Sequence, residues 1–123
     1  FITDDNLRYL SAFPNFEELN LSYSNITGIG LKYLKPLKKL KNLNLIRTKM
    51  NDEGMRSLSE ITSERISIDL THTGITDKGL KYLENNTNIY SLFLFGTKTT
   101  EAGRKYLQEK LPQTNIWMTA NDG

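Results

Sequence analysis

His72 is the single histidine of a 123-residue chain, and it stands three residues after Asp69, with Thr71 and Thr73 on either side. Those residue types are the parts of a general base: in a Ser-His-Asp arrangement the carboxylate orients the imidazole and the imidazole takes the proton of a hydroxyl. A metal site would need more, since zinc is held by several His, Cys or carboxylate ligands. The chain has no cysteine and no second histidine, which removes thiol nucleophiles, disulfides and the commonest zinc ligand sets. The chain is therefore expected not to be an enzyme and to carry no metal or cofactor. His72 remains open to a pH-sensitive contact. A different chemistry is offered by Phe93, Phe95 and Trp117. Aromatic side chains bury about 150–250 Å² each and dominate interface hot spots, so this group points to contact with a partner.

What must position these residues is a period. Leu21, Leu45, Leu70, Leu94 and Met118 recur at intervals of 24, 25, 24 and 24 residues. Two residues before each stand Leu19, Leu43, Ile68, Leu92 and Ile116, an alternation that predicts a strand in every repeat. Phe16, Leu40, Arg65, Ile89 and Gln113 form a third column, where the long stems of Arg65 and Gln113 are expected to lie along the core. Ile26, Met50 and Ile75 follow the strands, a column that Thr99 and Gly123 honour less well.

Thr3, Thr27, Asn51, Thr76 and Thr100 then stand where helices would begin, with Asp4, Asp52, Asp77 and Glu101 beside the positive end of the helix dipole. Leu7, Leu31, Met55, Leu80 and Arg104, each followed by a leucine three residues on, give a helical stripe too short to be stable alone. Glycines at Gly30, Gly54, Gly79 and Gly103 predict close backbone approach between repeats. Ser24, Thr48, Thr73, Thr97 and Asn121 predict a ladder of small side chains that satisfies loop backbone groups.

Leu40, Leu43, Leu45, Thr48 and Met50 resemble the leucine-rich repeat pattern L-x-x-L-x-L-x-x-N/C-x-L, with threonine in place of Asn or Cys. The helix half ITDKGLKYL (75–83) looks like the 24 to 26 residue class of many bacterial leucine-rich repeat proteins, and is similar to the cysteine-containing repeats of F-box receptors. The resemblance implies an α/β fold: a right-handed solenoid of about five repeats, with a parallel sheet on the concave face and short helices on the convex face. The whole chain, 1–123, reads as one such domain, with repeats at about 2–25, 26–49, 50–74, 75–98 and 99–123. The family implies binding rather than a reaction, and a shallow concave sheet rarely preorganises a catalytic triad.

Residues between the core positions face outward. They form three rows across the strands: Glu18, Asn42, Ser67, Ser91 and Asn115; Asn20, Asn44, Asp69, Phe93 and Trp117; Ser22, Ile46, Thr71, Phe95 and Thr119. The expected partner-binding set is Phe93, Phe95 and Trp117 as anchors beside Ile46, with Asn44, Asp69, Arg47 and His72 as a polar rim. The alternative for the aromatics is packing against a further repeat or against one another. A second class of function is a structural subunit or assembly factor that associates end to end or through its edge strands.

Charge adds little: 16 Lys plus Arg against 14 Asp plus Glu leave a net +2, too small to argue for nucleic acid or an anionic membrane. Lys32, Lys35, Lys38, Lys39 and Lys41, accompanied only by Tyr33 among aromatics, read as a solvated convex edge. No apolar run approaches the roughly 18 residues of a membrane span. The chain starts at Phe1, consistent with a removed leader or with a segment of a longer polypeptide, and the compartment stays open. The sequons at Asn20, Asn25 and Asn85 matter only in a secreted eukaryotic protein.

Overall fold

Apolar residues at alternate positions over a few residues make a strand that is unstable by itself and must find neighbours. In the computed structural model, which describes residues 1–119, five such runs pair side by side: β1 (Glu18–Asn20), β2 (Asn42–Asn44), β3 (Ile66–Asp69), β4 (Ile89–Phe93) and β5 (Asn115–Trp117). They form one parallel sheet in chain order. Parallel neighbours need a crossover. Each is supplied by a short helical segment: a 3-10 helix at Ile29–Leu34, then α1 (Asp52–Leu58), α2 (Asp77–Leu80) continued by a 3-10 turn at Lys81–Leu83, and α3 (Glu101–Lys110). A further 3-10 helix, Asp4–Ala12, precedes β1. The helical half expected of every repeat is thus wound as 3-10 in the first two repeats.

The core is the set of columns read from the sequence. Leu21, Leu45, Leu70 and Leu94 are buried, as are Leu43, Ile68 and Leu92 between them. Thr99 is buried in the column of Ile26, Met50 and Ile75, its hydroxyl paired with that of Thr97 at 2.7 Å. The third column differs from expectation. Ile66, not Arg65, enters the core, because the longer third repeat is absorbed by a register shift that pairs Ile66 with Ile89 and Ser67 with Ser91. Tyr90 is left over by that shift, and the exposed Arg65 lies across its ring at 3.8 Å. In the last repeat Thr114 rather than Gln113 is buried, its hydroxyl donating to the Ile89 carbonyl at 2.7 Å.

Asn51, Thr76 and Thr100 cap their helices as expected. Thr27 does not: Gly28, at φ 106°, precedes that helix. The Thr27 amide and hydroxyl donate instead to Asp4 at 2.9 and 2.8 Å. The same tie recurs, since Asp52 accepts from the Thr76 amide at 2.8 Å and Asp77 from the Thr100 amide at 2.8 Å, each with the threonine hydroxyl on its second oxygen. Asp4, Asp52 and Asp77 therefore stitch the first, third and fourth repeats to the ones that follow them, a role beyond the dipole.

This stitching needs close approach. A side chain on Gly54 would strike the Thr27 carbonyl, and one on Gly103 the Asp77 carboxylate. Ser24, Thr48, Thr73 and Thr97 donate to the carbonyls of Leu21, Leu45, Leu70 and Leu94 at 2.7, 2.8, 2.8 and 2.8 Å, closing the turn inside each repeat. Asn121 and Gly123, assigned to two of the columns, lie outside the described residues.

Candidate functional site

One face of the sheet carries the helical segments and the other is open. On the open face the three rows stand in register: Glu18 beside Asn42, Ser67, Ser91 and Asn115, and Asn20 beside Asn44, Asp69, Phe93 and Trp117. Backbone bonds continue the alignment past the strands, from the Tyr23 amide to the Ile46 carbonyl at 2.9 Å, from Arg47 to Thr71 at 3.0 Å and from His72 to Phe95 at 2.8 Å.

The second row changes character along the solenoid. Asn20, Asn44 and Asp69 each turn a side-chain oxygen back onto the amide two residues on, those of Ser22, Ile46 and Thr71, at 3.0, 3.0 and 2.9 Å. Part of the expected polar rim is thus engaged with its own backbone. Phe93 and Trp117 follow in the same row. Phe93 and Phe95 are half-buried, their ring centroids 6.4 Å apart and tilted at 35°. The packing of these two rings on each other is the arrangement the alternative reading allowed for that pair. Trp117, on the next strand, is 52% exposed.

Asn44, Asp69 and Phe93 share a shallow hollow of about 180 Å³ with Asn42 and Ser67. Ile46 is half-buried in the third row, while Arg47 and His72 stand outside the hollow, exposed in the turns that leave β2 and β3. Both occupy the left-handed region, at φ 54° and 58°, and Tyr23 does so at 62° after β1. The His72 ring lies over Gly96, where a side chain would strike it. No hydrogen bond among the described residues joins the ring to Asp69 or to a hydroxyl, so the parts of a triad are near in sequence without being assembled. No group of three or more His, Cys, Asp or Glu placed to hold a metal ion occurs among the described residues.

A larger cavity, about 550 Å³, opens at the starts of the central strands. Lys38, Lys39 and Lys41 line it with Arg65 and Tyr90. Sequence reasoning placed the lysines on a solvated convex edge. All five are exposed, and three of them also stand at the rim where the central strands begin, beside a tyrosine from two repeats further on. The signal available in the sequence was Arg65 itself, the one charge in a column that also holds Phe16, Leu40 and Ile89.

A family model described as Leucine Rich repeat matches residues 14–35 and 66–83. Among solved structures, the chain is similar to one described as Leiomodin-1 Actin-Binding Site 2 (ABS2), with a TM-score of 0.70 over 96% of this chain and 78% of that one. The two sequences are 14% identical, so the likeness concerns the fold.

Proposed function

We propose that this chain, a leucine-rich-repeat solenoid by its sheet and by its repeats, is a protein-interaction module that binds its partner on the concave, open face of the sheet. The observation that carries this reading is the change in the second row from Asn20, Asn44 and Asp69 to Phe93 and Trp117, with Phe95 against Phe93. Polar side chains that cap their own backbone give way to aromatic surface, Trp117 remaining 52% exposed. Large aromatic side chains open to solvent are prominent among the residues that anchor protein interfaces. Ile46 and the outward parts of Asn44, Asp69, Arg47 and His72 would form the rim. The neighbouring structure is described as an actin-binding site, which favours a protein partner in general and leaves this chain's partner to be identified.

The test is affinity capture from the native source, with mass spectrometry of what is retained by the natural chain and by a Phe93→Ala, Trp117→Ala double variant. Truncating two hot-spot aromatics is expected to weaken retention by at least about 2 kcal/mol, more than tenfold, while urea unfolding stays cooperative. Equal retention by both proteins would refute the aromatic anchor. A variant that no longer unfolds cooperatively would instead assign the aromatics to the fold. Association through the outer strands is the second reading, supported by Leu19 and Ile116 being only half-buried on β1 and β5. Light scattering that shows a mass growing with concentration would favour it.

A further inference from the structure

We infer that the cavity at the strand starts is a recognition site for an acidic segment of a partner polypeptide, separate from the aromatic patch. Its lining carries four cations, Lys38, Lys39, Lys41 and Arg65, against two carboxylates, Glu17 and Glu64. Among the described residues only one of these cations is paired with a carboxylate, Lys41 with Glu17 at 3.0 Å. The Lys38 ammonium donates to the Thr62 hydroxyl, an uncharged partner.

Arg65 is the centre of the site. Its guanidinium carbon sits over the Tyr90 ring, 3.8 Å from the centroid, and the group makes no hydrogen bond or ion pair among the described residues. Stacking fixes the plane of an arginine while leaving its N–H edge open, which is the geometry that takes a carboxylate through two parallel bonds. The register shift between β3 and β4 is what creates the contact, because it expels Tyr90 from the ladder beside Arg65. The volume, about 550 Å³, falls within the range of about 300–1,000 Å³ usual for ligand sites.

The rest of the lining selects among anions. A nucleic acid needs faces on which bases stack, and the one aromatic here, Tyr90, has a face covered by Arg65. Glu17 and Glu64 repel a phosphate dianion more than a single carboxylate, and with Asn42 and Ser67 they offer partners for the amides of a peptide backbone. Asn42 and Ser67 also line the hollow that holds Phe93, so a chain seated in the cavity has a continuous path onto the open face.

The experiment is fluorescence anisotropy of a fluorescein-labelled hexaglutamate peptide titrated with the full chain at low and physiological salt. The comparison probes are a hexaglutamine peptide and a single-stranded RNA of similar length. Saturable binding of hexaglutamate alone is expected, weakened at least about tenfold by Arg65→Gln, weakened by Lys39→Gln, tightened by Glu64→Gln and unchanged by Lys105→Gln on the exposed face of α3. Arg65 and Lys39 are exposed, so both variants should fold, and far-ultraviolet circular dichroism checks this. Equal binding of hexaglutamine, tighter binding of RNA, or an Arg65→Gln variant that binds like the natural chain would each overturn the assignment. Because the probe has no apolar side chain, its outcome is independent of the aromatic patch.

Discussion

The first three strands and the fourth leave the sheet through the same turn by different means. After β1, β2 and β3 the turn residue is Tyr23, Arg47 or His72, held at positive φ. That conformation costs a residue with a side chain about 1–2 kcal/mol. In each case the residue three positions earlier, Asn20, Asn44 or Asp69, fixes the approach to the turn by accepting the intervening amide. After β4 the turn residue is Gly96 at φ 68°, which bears no such cost. Phe93 stands where the capping side chain would be. A glycine in the turn thus releases the neighbouring strand position from supporting the backbone, and the aromatic surface begins at the first repeat where that release occurs.

The strongest way to break this comparison is Gly96→Ala. The new methyl group meets the left-handed cost and also the His72 ring, so a loss of about 2–3 kcal/mol is expected in urea unfolding. Adding His72→Ala should recover the part due to the ring. A Gly96→Ala protein as stable as the parent would mean that the turn tolerates side chains without support, and the link between Gly96 and Phe93 would be lost.

A smaller effect is expected from Asp69→Ala, which removes the cap while His72 keeps its positive φ. Loss of one hydrogen bond at a half-buried site costs about 1 kcal/mol. Combining it with His72→Gly should shrink the penalty, since a glycine turn needs less support. Additive effects of the two substitutions would show that cap and turn are independent.

How much of this was legible in the sequence follows from what is periodic. The columns of leucine and isoleucine, the glycine approach and three of the helix caps are set by local residue type and recur, so spacing exposes them. Arg65 was misassigned because a one-residue insertion shifts the register, and a column counted at fixed spacing cannot see where the extra residue is expelled. The basic cavity was missed for the same reason: Tyr90 reaches Arg65 only through pairing of β3 with β4. The ties of Asp4, Asp52 and Asp77 were read as dipole effects because their partners stand 23 or 24 residues away, one full repeat, where only the folded solenoid brings them. The register of the open-face rows follows from the period, although Ser91 is buried, and the backbone bonds of Asn44 and Asp69 depend on a turn geometry that residue names do not give.

The helix side is the control for the contrast on the open face, because there the same tie recurs in the first, third and fourth repeats. Asp4 has the fullest version, accepting from the Thr27 amide and hydroxyl and from the amides of Gly28 and Gly30 at 2.9, 2.8, 3.0 and 3.1 Å. Burial by itself would raise this carboxyl, but the bonds from Thr27, Gly30 and Gly28 together outweigh it and hold the group below its ordinary value of 3.8. With the folded value depressed, the contribution is fully present above about pH 3.8 and is lost as the pH falls through the folded value, because the unfolded chain takes up the proton first. Asp4→Asn should therefore be less stable than the natural chain at neutral pH, by less than about 1 kcal/mol for a carboxylate partly open to water. The gap between the two unfolding curves should close below pH 3.8. A gap that stays constant down to pH 2 would mean that the tie acts through shape alone. The unit-to-unit stitching would then owe nothing to the charge that the first, third and fourth repeats place there.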